Sequence, residues 1–171
     1  MKKILPLKSL ANLSSKLRKK GKKVILCHGV FDLLHVGHIK HLKKAKELGD
    51  ILIVTITSDR YVNKGPNRPA FNQNLRCESI AALEPVDYVS VNDSPTAITP
   101  IKIVKPNIYC KGKDYKNQKD DITGEIVNEI KILKKNKGKI FFTEELTFSS
   151  SRLINRSTDF YTPRQKKILK K

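Results

Sequence analysis

The sequence predicts an α/β fold: a doubly wound parallel sheet of five strands with helices on both faces. Three observations carry that expectation. Five short runs rich in β-branched and aromatic residues (24–27, 51–57, 86–91, 108–110 and 139–143) alternate with stretches whose apolar residues recur at three- and four-residue spacing. The run Ile51 to Thr57 is almost continuously apolar, as befits a parallel strand covered on both faces. Polar clusters follow four of the runs, at 28–38, 58–68, 111–115 and 149–151, where an open parallel sheet gathers its ligand-binding residues.

Taken in order, residues 5–20 place Leu7, Leu10, Leu13 and Leu17 on one helical face and end in Lys-Lys-Gly. The first strand is Val24 to Cys27. Ile39, Leu42, Ala45 and Leu48 then continue at helical spacing, and Gly49 is read as that helix's C-terminal stop. The second strand leads through Ser58-Asp59-Arg60 into a loop rich in Lys, Gly, Pro and Asn. Residues 76–83 read as a helix and 86–91 as the third strand. Residues 95–104 read as a helix carrying an awkward Pro100. Ile108-Tyr109-Cys110 forms the fourth strand, residues 125–135 a helix with Ile126, Ile130 and Leu133 on one face, and 139–143 the fifth strand. Ser149-Ser150-Ser151 opens a last short helix. Residues 1–155 are expected to form one domain, 1–22 being its helical lead-in, and 156–171 a basic tail or linker.

Composition narrows the class. The chain has 171 residues, enough for a real core, and its three cysteines lack paired spacing, which points to reduced thiols in the cytoplasm. Cys27 and Cys110 fall in apolar runs and read as core. No apolar run is long enough to span a membrane or resembles a signal peptide. A net charge of +19 raises the possibility of nucleic acid. The lysines, however, are spread along helices without interleaved aromatics, so lysine-rich solvated faces are the preferred reading.

The most informative stretch is the turn after the first strand, where Gly29 to His38 reads Gly-Val-Phe-Asp-Leu-Leu-His-Val-Gly-His. A strand that feeds a Gly-containing turn and then a helix presents backbone N–H groups and the positive end of a helix dipole to an anion. His35 and His38, three residues apart, share one side of the first turn, and Gly37 lets a phosphate approach the backbone. Paired imidazoles at such a place suit a phosphoryl-transfer transition state, where charge grows on non-bridging oxygens. The plainer reading is that they cap the helix. A metal site made of Cys27, His28, His35 and His38 would crowd four ligands into one turn, which disfavours it.

Those ten residues resemble the signature of the cytidylyltransferase-like nucleotidyltransferases, a family with a Rossmann-like α/β fold. Leu33 after the aspartate, where some adenylyltransferase branches have proline, favours the branch of the glycerol- and sugar-phosphate enzymes. The finer resemblance is to the nucleotidyltransferase domains of bifunctional ADP-heptose synthases. It covers residues 7–155 through Leu48-Gly49-Asp50, Ser58-Asp59, Lys64-Gly65, Arg68-Pro69, Arg76, Ala82-Leu83-Glu84, Val86-Asp87, Lys111-Gly112-Lys113-Asp114-Tyr115 and the serine triplet. Three positions depart from that pattern. The family's Ser-Thr-Thr is Ser149-Ser150-Ser151, its Lys-Gly-Gly-Asp-Tyr carries Lys113, and Glu144 replaces an arginine typical of glycerol-3-phosphate enzymes.

The resemblance implies roles. His35 and His38 would stabilise the transition state around the α-phosphate. Asp32, with the backbone of Gly29, Val30 and Phe31, would shape the phosphate pocket, and Lys64 would neutralise phosphate charge. Arg76 would be the family's arginine on the helix after that loop. Lys111, Gly112 and Asp114 would lie against base and ribose, and Ser149, Ser150 and Ser151 against the triphosphate. Each has a plainer alternative: a solvated lysine, a turn aspartate, an ion-paired arginine, a serine N-cap. The implied reaction transfers AMP from ATP to a sugar 1-phosphate resembling D-glycero-β-D-manno-heptose 1-phosphate and releases pyrophosphate. Mg²⁺ would be carried on the nucleotide, with no protein metal ligands. CTP with glycerol 3-phosphate or another small polyol phosphate is the nearest alternative, and a basic nucleic-acid-binding module is a distant one. The resemblance also implies a homodimer and a ribokinase-like sugar kinase, fused or separate.

Overall fold

A computed structural model describes residues 3–65, 67–116 and 124–144. The five expected strands form one all-parallel sheet: β1 (Val24–Gly29), β2 (Ile51–Thr57), β3 (Tyr88–Asn92), β4 (Ile108–Gly112) and β5 (Lys139–Thr143), in the order β3-β2-β1-β4-β5. The chain therefore winds outward twice from β1, and the order reverses between β1 and β4. The helices are α1 (Leu7–Lys19), α2 (Val36–Lys46), α3 (Gln73–Ala81), α4 (Ile98–Val104) and α5 (Ile126–Lys135). Single 3-10 turns follow β2 at Asp59–Tyr61 and β4 at Lys113–Tyr115.

Because side chains alternate along a strand, each strand supplies both faces of the sheet. Ile25, Cys27, Leu52, Val54, Ile56, Val89 and Cys110 face α2 and α3 and meet Leu42, Ala45, Cys77 and Ile80. Val24, Leu26, Ile53 and Tyr109 face the opposite way, toward Leu10 of α1, Ile101 and Val104 of α4, and Ile126 and Leu133 of α5. Right-handed crossovers require this distribution of helices over two faces. The free edge of β3 is covered by the N-terminal segment: Leu5 N–H donates to the Val89 carbonyl and Val89 N–H to the Lys3 carbonyl, each at 3.0 Å.

Several boundaries differ from the sequence expectation for identifiable reasons. Helix α3 starts three residues early because Asn72 caps it, its side chain accepting from the N–H groups of Asn74 and Leu75 at 3.0 Å. Strand β3 starts late because Val86 and Asp87 belong to the entry turn. The Asp87 carboxylate there accepts from Leu52 N–H at 2.7 Å and from Lys46 Nζ at 2.5 Å. Pro100 is tolerated because it stands in the first turn of α4, where an N–H has no helical acceptor. Glu129, on the apolar face of α5, is buried yet satisfied: its carboxylate accepts from Ala97 N–H at 2.8 Å and Tyr109 Oη at 2.9 Å.

Gly49 corrects an expectation. Helix α2 ends at Lys46, and Gly49 is not among the residues with positive φ, so it is no left-handed helix stop. It is there because α2 returns to the sheet tightly: a Cβ at this position would lie 2.7 Å from Ile25 Cδ1 and 2.8 Å from the Lys23 carbonyl. Replacing Gly49 by alanine should therefore lower stability by roughly 1–3 kcal/mol, since neither neighbour can yield cheaply. An unchanged urea midpoint would refute that close approach.

Candidate functional site

The carboxyl ends of β1, β2 and β4 converge where the strand order reverses, and the turn from β1 to α2 lies at that point. The turn has a strained elbow: Phe31 adopts φ +49°, a left-handed conformation unusual for a residue with a bulky side chain. Its ring lies 3.2 Å from where a Cβ on Gly29 would be, so Gly29 makes room for the elbow. The same ring meets His38 edge-on, with centroids 5.1 Å apart. Gly37 is buried in the first turn of α2.

His35 is the N-cap of α2 and its Nδ1 accepts from His38 N–H at 3.4 Å. Capping and a chemical role are therefore compatible in one residue. That bond places the lone pair on Nδ1, so the neutral ring carries its proton on Nε2. The two rings stack with centroids 3.7 Å apart and planes inclined by 21°. Nδ1 of His38 is buried, and a hydrogen bond with the Leu33 backbone is the one influence on the ring that favours its charged form.

Two carboxylate–guanidinium pairs hold the surrounding loops. Asp32, fully buried, accepts from Arg68 Nε at 2.5 Å and from Ala70 N–H at 2.6 Å, tying the loop after β2 to the elbow. Arg76, only 1% exposed, donates to the carbonyls of Phe71, Val30 and Thr57 and to Asp59 Oδ1, at 2.5–3.0 Å. Arg76, which the resemblance implied as the family's arginine on this helix, joins the β1 turn, the end of β2 and the loop before α3 and pairs with Asp59. Arg68 entered the sequence reading only as part of a motif. No spacing rule reaches from Asp32 to a loop residue 36 positions away.

The electrostatics follow from cations gathered with little counter-charge. Burial lowers the His38 pKa to about 3, with His35, His41 and Lys64 adding repulsion. His35 is lowered by partial desolvation and then by Lys64. Lys64, on the loop after β2, is itself lowered by desolvation and then by Arg68. Across the switch point, Lys111 is buried at the end of β4 and lies over the Tyr115 ring, 3.6 Å from its centroid. Its charge also helps hold two further imidazoles neutral, although burial is the larger cause in both: His28 at about 3 and His41 at about 4.

His28 is not oriented toward solvent. Its Nδ1 donates to the Thr55 carbonyl at 3.1 Å and its Nε2 faces Thr57 Oγ1 at 3.4 Å, which anchors it to β2. Gly112 ends β4 directly below the turn Lys113–Tyr115. The side chain of Asp114 and the whole of Ser149, Ser150 and Ser151 lie outside the described residues, as do 156–171. The donors around the histidine pair are nitrogens, and the nearby buried carboxylate, Asp32, is already engaged. A hard cation such as Mg²⁺ would here take its oxygens from phosphate rather than from Asp32, which agrees with an ion carried on a nucleotide. Next to this site, at the ends of β2 and β3, an open cleft of about 510 Å³ is lined by Ser58, Asp59, Arg60, Gln73, Val91 and Asp93.

Comparison with known proteins agrees with the geometry. The Cytidylyltransferase-like family description matches residues 26–156. "Bifunctional protein HldE" of a Nitratiruptor species is 45% identical over 129 residues, which is 74% of this chain and 28% of that protein. Its namesake in Campylobacter jejuni subsp. doylei is 37% identical over 155 residues, 90% of this chain and 32% of the relative. The chain thus spans less than a third of the length of these curated relatives. A crystal structure of the lipopolysaccharide core biosynthesis protein from Thermoplasma volcanium GSS1 superposes with a TM-score of 0.62 at 29% identity, covering 74% of this chain and all of that one. The pantoate–β-alanine ligase of Francisella tularensis, at 19% identity and a TM-score of 0.58 over 95% of this chain and 79% of its own, shares the fold alone.

Two outcomes follow from the site's electrostatics. Below pH 6.5 the unfolded chain protonates His28, His38 and His41, whereas the folded chain holds them neutral until about pH 4 or 3. The unfolded state then binds more protons, so stability should fall on acidification from pH 6.5 to 4, by up to about 1.4 kcal/mol per pH unit for each ring. Urea midpoints across that range measure it, and a flat profile would show that these rings are not held neutral. Asp32→Ala strands the Arg68 guanidinium, whose side chain is 9% exposed, and should cost roughly 3–5 kcal/mol by chemical denaturation.

Proposed function

The chain belongs to the cytidylyltransferase-like family of nucleotidyltransferases, and we propose that it transfers AMP from ATP to a sugar 1-phosphate of the heptose class, forming an ADP-sugar and pyrophosphate. The observation that carries this reading is the stacked pair of neutral imidazoles at the N-terminus of α2, with Lys64 on the loop after β2 and Lys111 at the end of β4. The HldE relatives support the choice of ADP-heptose. The polar cleft lined by Asp59, Gln73 and Asp93 supports a hydroxyl-rich acceptor, because carboxylates and amides accept from sugar hydroxyls.

The chemistry needs alignment and charge more than a base. A sugar phosphate oxygen is already anionic at neutral pH and attacks the α-phosphorus directly. The new P–O bond forms as the bond to the β-phosphate oxygen breaks, and pyrophosphate leaves on the opposite side. His35 carries its proton on Nε2, a tautomer fixed by the His38 N–H, and donates it to a non-bridging oxygen of the α-phosphate. His38, braced by Phe31, approaches the same phosphate from the stacked position. Lys64 draws the phosphates of one reactant toward the elbow, and the amide end of α2 contributes its dipole. Lys111 and the following turn lie against the nucleoside. Mg²⁺ bound to the triphosphate would supply further charge neutralisation.

Replacing His35 by alanine should lower turnover by two or more orders of magnitude while the circular dichroism stays native, since one transition-state donor is worth about 10²–10³ in rate. Full activity in that variant would remove the proposed role. Pyrophosphate release should be rapid with ATP and a heptose 1-phosphate and at background with CTP and glycerol 3-phosphate. The reverse preference would move the chain to the polyol-phosphate branch.

A further inference from the structure

Behind the phosphate elbow lies a second group of chemically competent side chains. Cys27 on β1 and Cys110 on β4 are paired in register on adjacent parallel strands, and both face α2. His41, one turn beyond His38 on α2, closes over them. The two sulfurs and a ring nitrogen of His41 all lie within 4.8 Å of one another. Among the described residues this is the one group of three or more His, Cys, Asp or Glu side chains close enough to share an ion. We propose that Cys27, Cys110 and His41 form a buried binding site for a thiophilic divalent cation of the zinc class.

The donor set and its support both suit such an ion. Two sulfurs and one imidazole are the ligand chemistry of zinc, with tetrahedral bonds of about 2.3 Å to sulfur and 2.0 Å to nitrogen. Those bonds put ligand atoms roughly 3.5–4 Å apart, within reach of small side-chain rotations from the present arrangement. The imidazole is already oriented. Thr143 Oγ1 donates to the Lys111 carbonyl at 3.3 Å, so at 2.8 Å it must accept from His41 Nδ1–H, which leaves Nε2 with a free lone pair for a metal. A hydrogen bond that fixes the opposite ring nitrogen is the usual companion of a ligating histidine.

Charge balance removes the objection from burial. Cys27 and Cys110 are fully buried, a poor place for thiolates alone. On binding, the two thiols release two protons to solvent. A divalent cation, two thiolates and a neutral imidazole then make an uncharged centre that an apolar interior accepts. His41 is only partly buried, so a water can approach from its side to complete four-coordination. The ion would fasten β1, β4 and α2 together directly behind His38.

Cobalt(II) is the probe, titrated anaerobically into the reduced full-length chain. One equivalent should produce thiolate-to-cobalt charge-transfer absorption, and Zn²⁺ should displace it. The absorption should vanish in Cys110→Val and persist in His35→Ala, which separates this site from the imidazoles of the elbow. Zn²⁺ should also raise the thermal midpoint of the wild-type chain and leave that of Cys110→Val unchanged. No sulfur-to-cobalt absorption in the folded wild-type chain would overturn the proposal without recourse to any variant. A band that survives Cys110→Val would overturn it as well.

Discussion

Arg76 is the contact on which the upper end of the molecule depends. Its guanidinium, almost without exposure, collects carbonyls from the β1 turn, from the end of β2 and from the loop before α3, and closes on Asp59. Of the residues giving these carbonyls, Val30 and Phe71 lie in loops, and Thr57 is the last residue of β2. A planar five-donor cation is the one side chain able to satisfy several of them at once. With Asp32 holding Arg68 and Ala70 alongside, the elbow is fixed by largely buried side chains bonded to one another and to the backbone. The strain at Phe31 is sustainable because this frame surrounds it.

The frame determines the electrostatics. Histidines held neutral by burial and by neighbouring cations are donors of defined geometry, and each hydrogen bond around them selects a tautomer: Nε2–H on His35, Nδ1–H on His28 and on His41. The site thus combines preorganised neutral donors with lysines at its margins. Under the proposed function, a polyphosphate would meet these donors with little rearrangement of their dipoles. The overall excess of +19 works in the same direction at long range, by attracting anions of any kind.

Conserving the frame while varying the acceptor is what the sheet topology permits. The elbow and the Lys111 turn stand on β1 and β4, either side of the reversal in strand order, whereas the open polar cleft stands on β2 and β3. Under the proposed function, the nucleotide-handling and acceptor-handling parts would stand on different strands. The pantoate–β-alanine ligase, at 19% identity, shares the fold alone.

Much was legible in the sequence because it is local. Strand β2 occurs at the residues where its apolar run begins and ends, since a long β-branched run is sufficient to mark a strand covered on both sides. The pairing of His35 with His38 was equally readable, because three residues on a helix always return to one side. Partnerships across the chain were not. Asp32 with Arg68, Arg76 with Val30 and Thr57, Glu129 with Ala97, and His41 with the two cysteines join residues that only the packing of separate elements brings together. Gly49 shows the same limit: its sequence position suggested a helix stop, and its actual reason is a strand passing within van der Waals distance. The one-dimensional pattern determined the elements and the glycine-containing elbow with its paired histidines; which polar groups reach each other was decided by three-dimensional proximity.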